Sequence, residues 1–259
     1  IINLTNTSAA TAIHMGENGT SVYNGDISVT NSGGAAGITF NAGATASSTL
    51  NGVITAGAFT SGSLNLYRFT QVGALAENLT LTGTSLLRVG PSSSFDGLVT
   101  FVSPRLFLNG ATYNNTTSLE KSGPSNDDGA GGNIFNGTTT IAASSSGYLL
   151  TANTNPDIFN GPLTITNSGS NYIYLAHNVA GNQFNNDIIV NNTGSALGIL
   201  FSNTATGSST FTNGFLQVGG SGFLTGDLRL RRFSQVGAFN QTLALAGSAR
   251  LWIGPDSSF

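Results

Sequence analysis

The sequence predicts an all-β fold, a parallel β-solenoid (β-helix) with rungs of about 18–28 residues inside a super-repeat of 161–164 residues. Three observations predict it: a long internal repeat, a shorter aromatic–Asn–Gly period within that repeat, and strand-like alternation with no helical stripe.

The long repeat is read directly. Phe69 to Phe95 (FTQVGALAENLTLTGTSLLRVGPSSSF) aligns without a gap on Phe233 to Phe259 (FSQVGAFNQTLALAGSARLWIGPDSSF), at an offset of 164, with 14 of 27 positions identical. Upstream, Tyr23-Asn24-Gly25-Asp26-Ile27 matches Phe184-Asn185-Asn186-Asp187-Ile188 at an offset of 161, as Phe40 matches Phe201. The three extra residues are expected between Asn51-Gly52 and Phe59, against Asn213-Gly214 and Phe223. The chain divides into residues 1–95, the C-terminal part of one super-repeat, and 96–259, the following super-repeat in the same continuous solenoid. It starts and stops in mid-pattern, which reads as a window on a longer array.

The shorter period sets an aromatic residue before Asn/Asp and Gly/Asn, then alternating apolar residues, as in YNGDISV from Tyr23, FDGLVTF from Phe95 and FNNDIIV from Phe184. Phe95, Tyr113, Phe135, Phe159 and Phe184 follow one another at growing intervals. Intervals of this size, too long for a simple hairpin meander, suit one turn of a coiled sheet. Stacked coils would put Tyr23 and these five rings in one core slot. They would also lay Asn24, Asn136, Asn160 and Asn185 over one another, where amides can hydrogen-bond along the axis. Short alternating runs such as Ser63-Leu-Asn-Leu-Tyr67 and Leu228-Arg-Leu-Arg231 read as strands. Intervening Asn-Gly, Ser-Gly and Gly-Gly pairs supply positive φ at corners. Asn-Gly also marks two-residue hairpins, so an antiparallel sandwich array is the alternative.

Composition narrows the function classes. Charged residues are 7% of the chain, against roughly 25% in an ordinary soluble domain. The net charge is -3, with no basic excess to neutralise phosphates, which argues against a nucleic-acid partner. No apolar run approaches the roughly 20 residues of a membrane helix. Cysteine is absent, which excludes disulfides and thiolate metal sites. Low charge with abundant Asn, Ser, Thr and Gly points to an extracellular, cell-surface location.

Candidate chemistry is sparse. The 11 acidic residues are scattered about one per rung, and Asp26 and Asp187 are repeat equivalents, as turn-capping residues are and a singly built active site is not. No catalytic residue and no required cofactor are expected, and the chain does not read as an enzyme. The one metal candidate is calcium at Asp127 and Asp128, in the acidic, Gly-rich loop Ser125–Gly132, which lacks an EF-hand pattern and reads more simply as a solvated turn. His14 and His177 show no partner at catalytic spacing. Arg229, Arg231 and Arg232, with Arg68 opposite Arg232 in the other copy, form the one basic cluster. Alternation points Arg229 and Arg231 outward, and the pair Arg231-Arg232 marks a corner. These arginines are candidates for lateral contact between filament subunits, or with an acidic glycan.

The phrases FNGTTTI, FNGPLTITNSGS, LTLTGTSLLRVGPSSSFDG and LFLNGATYNNTTSLEKSG resemble giant repetitive surface adhesins and filament proteins of Bacteroidota exported by type IX secretion. Among these are the grappling-hook filaments of predatory marine bacteria. The resemblance covers nearly the whole chain and implies a shaft or stalk for cell attachment or for prey and surface capture. Its partners would be adjoining repeats, bundled copies of the chain, glycans or other cell surfaces. A carbohydrate-binding module with exposed rings such as Tyr172 or Trp252 is a second reading, and a glycan-active β-helix enzyme a third.

Overall fold

The computed structural model describes residues 1–34 and 36–259. Among them are 31 strands and no helix, and every strand pairing is parallel. This is the predicted β-solenoid, in about ten turns.

Each coil visits three faces in order. Face 1 is one sheet of ten strands, from Ile2–Asn6 through Ile27–Asn31 to Leu216–Phe223. Face 3 is a second ten-stranded sheet, from Thr20–Tyr23 to Phe233–Val236. Face 2, between them, is split into a five-stranded sheet, Ile13–Met15 to Arg105–Leu108, and a six-stranded one, Asp127–Asp128 to Arg250–Ile253. Coil length follows from the register on face 1. The shortest coil carries Val99 onto Thr117, and the longest carries Ile188 onto Leu216.

The strands form where apolar and hydroxyl residues alternate, because successive side chains point to opposite faces. Ile27, Val29 and Asn31 turn inward while Ser28 and Thr30 turn out. Repeating this in each coil builds a dry core along the axis, from Ile27 and Val29 to Leu228 and Phe233. On face 3 the inward column holds Phe95, Tyr113, Phe135, Phe159 and Phe184 in register. Tyr113 stacks on Phe135 at 4.8 Å and Phe135 on Phe159 at 4.7 Å, with planes within 7° of parallel. The column is not unbroken: Leu50 and the buried Gln71 stand between Tyr23 and Phe95.

The super-repeat is seven coils long. Ile2–Asn6 and Leu163–Asn167, equivalents at the sequence offset of 161, are the first and eighth strands of face 1. Their final asparagines do the same work. Asn6 donates to the carbonyls of Thr11 and Gly37, and Asn167 to those of Asn171 and Gly198. The three extra residues enter in two places. One falls just before the expected interval, where Thr212-Asn213-Gly214 stands against Asn51-Gly52, since Leu50 and Phe211 share a register position. The other two widen a bulge: Asn31 pairs with Phe59 after one extra residue, and Asn192 with Phe223 after three. Corners between faces 2 and 3 need a left-handed residue, and glycine does not always supply it. Arg68 and Arg232, repeat equivalents, both take φ 46°.

Candidate functional site: an arginine and aromatic face

A low-charge chain makes the placement of its few charges informative. All seven arginines lie on face 2 or at the corner that follows it: Arg88, Arg105, Arg229 and Arg250 on its strands, Arg68, Arg231 and Arg232 just beyond. The only tryptophan and most of the partly exposed tyrosines share this side of the rod. Strand alternation is the cause. In Asp227–Leu230, Leu228 and Leu230 enter the core while Arg229 turns out and stacks in register between Leu200 and Trp252.

Toward the C-terminal coil the outward side chains interlock. Asp227 accepts from Arg229 Nη2 at 2.6 Å and from Arg250 Nε at 2.8 Å. Burial alone would raise Asp227, but the two guanidinium groups overcome it and hold the carboxyl below its usual range. Arg229 lies over the rings of Tyr172 and Trp252 at 5.8 and 5.9 Å, and Arg250 over Trp252 at 5.8 Å. Beside them is a pocket of about 260 Å³ lined by Ser202, Asn203, Arg229, Arg231, Trp252 and Gly254. Arg231 donates from Nη1 to the carbonyl of Asn203 at 2.9 Å. Arg232 turns the other way, to Asp256 at 3.4 Å and the carbonyl of Thr204. Arg68, its repeat equivalent, folds back on the carbonyls of Asn41, Gly43 and Ala46. The four arginines of the sequence cluster thus divide: Arg229 and Arg231 face the pocket, while Arg68 and Arg232 tie down corners.

A second cluster lies higher on the same face. Tyr148 donates its hydroxyl to Asp128 at 2.8 Å, and His177 packs edge-on against Tyr174 at 4.9 Å. These four residues share a shallow pocket of about 270 Å³ with Asn153 and Asn178. Burial, then the Asp128 bond, pushes Tyr148 up to about 12, and burial pushes His177 down. Of the two histidines, His177 joins this cluster by ring contact alone, its Nδ1 having no hydrogen-bond partner among the described residues, and His14 Nδ1 lies 3.1 Å from Glu17.

The Asp127–Asp128 pair is not a solvated turn. Asp127 occupies the inward column above Leu149, fully buried, while Asp128 points out. The carboxylate of Asp127 takes the N–H of Leu106 at 2.8 Å and Arg105 Nε at 3.2 Å, at the break in face 2. The two carboxylates therefore diverge. Among the described residues no three His, Asp or Glu side chains converge as a metal would require. Near Asp127 lies a residue the sequence reading passed over: Lys121, buried in the corner column between Ser103 and Ala143, donating to the carbonyl of Gly123. Burial pushes its ammonium down and the Asp127 carboxyl up, and each partly offsets the other's shift.

The remaining sequence-derived residues are structural in geometry. Asp26 and Asp187 each accept a backbone N–H of the next coil, from Val53 at 3.1 Å and Phe215 at 2.9 Å. On the corner between faces 3 and 1, Asn136 donates to Asn114, Asn160 to Asn136, and Asn185 to Asn160, all at 2.8–2.9 Å. Asn24 takes the same bond from Asn51. No protein-family model, curated protein or solved structure matches the chain.

Proposed function

We propose that the chain is a structural segment, a shaft or stalk, of a large extracellular filament or adhesin serving cell attachment or capture of prey and surfaces. The observation that carries it is the uninterrupted stacking of faces 1 and 3 through ten coils, with repeat equivalents in the same bonds seven coils apart. Each coil joins the next by backbone hydrogen bonds and a shared core, so stability is a sum of neighbour terms and length is free to grow. A rod of ten coils at about 4.8 Å each spans about 48 Å. A surface mostly of hydroxyl and amide groups tolerates changing salt, because little of it depends on exposed charge pairs. The export route through type IX secretion and bundling with other copies belong to the same proposal. The test is immunogold labelling of intact cells with antibodies raised against this chain. Label along filaments outside the cell is the expected result, and label only after lysis overturns it.

A further inference from the structure

We infer that the pocket beside Trp252 binds an acidic sugar unit, a uronate or a sulfated pyranose, within a glycan lying along face 2. The inference stands on the pocket and does not depend on the shaft reading. Four observations meet there. First, Trp252 is 52% exposed, although its ring is large and apolar, and it forms one wall of the pocket. An exposed indole face offers a pyranose a flat apolar platform with a polar rim. Second, the charge is unbalanced. Arg229, Arg231 and Arg250 surround the ring, and Asp227, the one carboxylate bonded to them, is shared by Arg229 and Arg250. Arg231 holds only the carbonyl of Asn203. Third, two buried polar atoms at this pocket, Arg231 Nε and Ser202 Oγ, have no hydrogen-bond partner among the described residues. A buried donor left unmade costs free energy, and a carboxylate or sulfate oxygen would satisfy the guanidinium with a charge-assisted bond. Fourth, Gly254 lets the Arg231 side chain lie against the pocket floor, since a Cβ there would lie 2.9 Å from Cγ of Arg231.

The volume, about 260 Å³, suits one sugar ring rather than an oligomer. Further rings lie along the axis. Tyr172 and Tyr174 are three coils away on the same face, and Arg229 bridges Tyr172 to Trp252. The arrangement favours a glycan over a nucleic acid, because single arginines spaced by tyrosines do not track the closely spaced phosphates of a nucleic-acid strand.

The chain contains one tryptophan, so its intrinsic fluorescence reports this pocket directly. The probes are tetragalacturonate, maltotetraose as the neutral oligomer of equal length, sodium sulfate, and a short oligothymidylate. The acidic oligomer should change the fluorescence saturably. Arg231→Gln should weaken binding by about tenfold or more, and added salt should weaken it too. Arg231→Tyr, which installs the residue found at the equivalent Tyr67, keeps the measurement meaningful if the glutamine variant misfolds. Arg88→Gln, seven coils away, should change nothing. The inference is overturned by no saturable response to the acidic oligomer, by an equal response to the neutral one, by tighter binding of oligothymidylate or sulfate alone, or by Arg231→Tyr binding as well as the native chain.

Discussion

Ser63 to Phe95 and Asp227 to Phe259 are repeat equivalents seven coils apart, and their face 2 strands keep one side and change the other, while Glu77–Thr80 is a face 1 strand whose counterpart, 241–244, is not. Most inward residues of faces 2 and 3 are kept. Phe69 and Phe233 fill the same core slot, and Ser93 and Ser257 each accept the N–H of that phenylalanine and donate to the carbonyl of the leucine three residues before it. Outward residues of face 2 are replaced: Ser63 by Asp227, Asn65 by Arg229, Tyr67 by Arg231, Leu86 by Arg250 and Arg88 by Trp252. The coil fixes what points in, and leaves face 2 free to carry a different charged and aromatic set in each copy, Tyr67 with Arg88 in the first and Arg229, Arg231, Arg250 and Trp252 in the second.

The largest expected effect tests the shared core. Phe69 is fully buried against Phe40 at 5.2 Å, with a complete coil on either side. Phe69→Ala should cost about 3–5 kcal/mol in urea unfolding, the transfer term plus an unrelaxed cavity. Phe233 has Phe201 at 5.4 Å on one side, but Phe259 on the other is 57% exposed. Phe233→Ala should cost clearly less, because that side can collapse into the space. Equal costs would mean that the two copies are supported alike and that the exposure of Phe259 has no energetic meaning.

Among the inward differences, one carries a pH dependence. Glu77 and Gln241 are equivalents that accept the N–H of Ile54 and of Leu216. Gln241 donates its amide to the carbonyl of Gly214 and to Gln235, while the Oε1 atom of Glu77 is buried without a partner. Burial pushes Glu77 from 4.5 up to about 7, with the carboxylate of Asp26 adding to the rise. The folded pKa lies above the unfolded one, so the folded state holds more protons in between, and stability falls as pH rises from about 4.5 to 7. Asp157, buried and raised to about 7, acts in the same direction. Glu77→Gln should leave stability unchanged at pH 4 and add up to about 3 kcal/mol at pH 8. Gln241→Glu should reverse this at the half-buried second site, with a smaller loss confined to high pH. A Glu77→Gln gain as large at pH 4 as at pH 8 would sink the linkage.

Next in size is the outward network. Asp227→Ser, which restores the residue of the first copy, should cost about 1–2 kcal/mol by releasing two charge-assisted bonds. Because the carboxyl of Asp227 is held low, its contribution is present above the unfolded value of 3.8 and fades as pH falls through the lower folded value. A chemical-unfolding series from pH 7 to 3 should therefore see the variant and the native chain converge.

The repeat made the fold legible, because a short period that keeps aromatic, Asn and Gly in fixed order has few other solutions. It made the corner acids legible too, since duplication of Asp26 at Asp187 showed a repeated duty. The buried charges were hidden for the same reason. Asp127 sits in a column whose next members are apolar, Lys121 and Asp157 sit in columns that also hold buried asparagines, and no alternation pattern shows that a charged residue has taken a core position. Glu77 was the exception in principle. Its equivalent is Gln241, an isostere of the protonated acid, and that pairing could have flagged it. The clustering of arginine on face 2 needed the coil register, which places residues from Arg68 to Arg250 on one side of the rod.

The smallest effect concerns the amide ladder, where the copies again differ. Asn51 donates to Asn24 in the first copy, and at the equivalent step Thr212 donates its hydroxyl to Asn185 at 2.7 Å. Either residue completes the rung, so Asn51→Thr should shift stability by less than about 0.5 kcal/mol. Asn160 stands mid-ladder, donating to Asn136 and accepting from Asn185. Asn160→Ala removes both bonds and breaks the run, but water can reach the exposed amides left behind, so the cost should be about 1 kcal/mol. Hydrogen exchange locates that cost. If the ladder acts as a continuous chain of polarised bonds, protection should drop in the coils carrying Asn136 and Asn185 as well as in the mutated one. A loss confined to the coil of Asn160 would reduce the ladder to independent pairs, and would leave the stacked rings of Phe135 and Phe159 as the stronger tie between those coils.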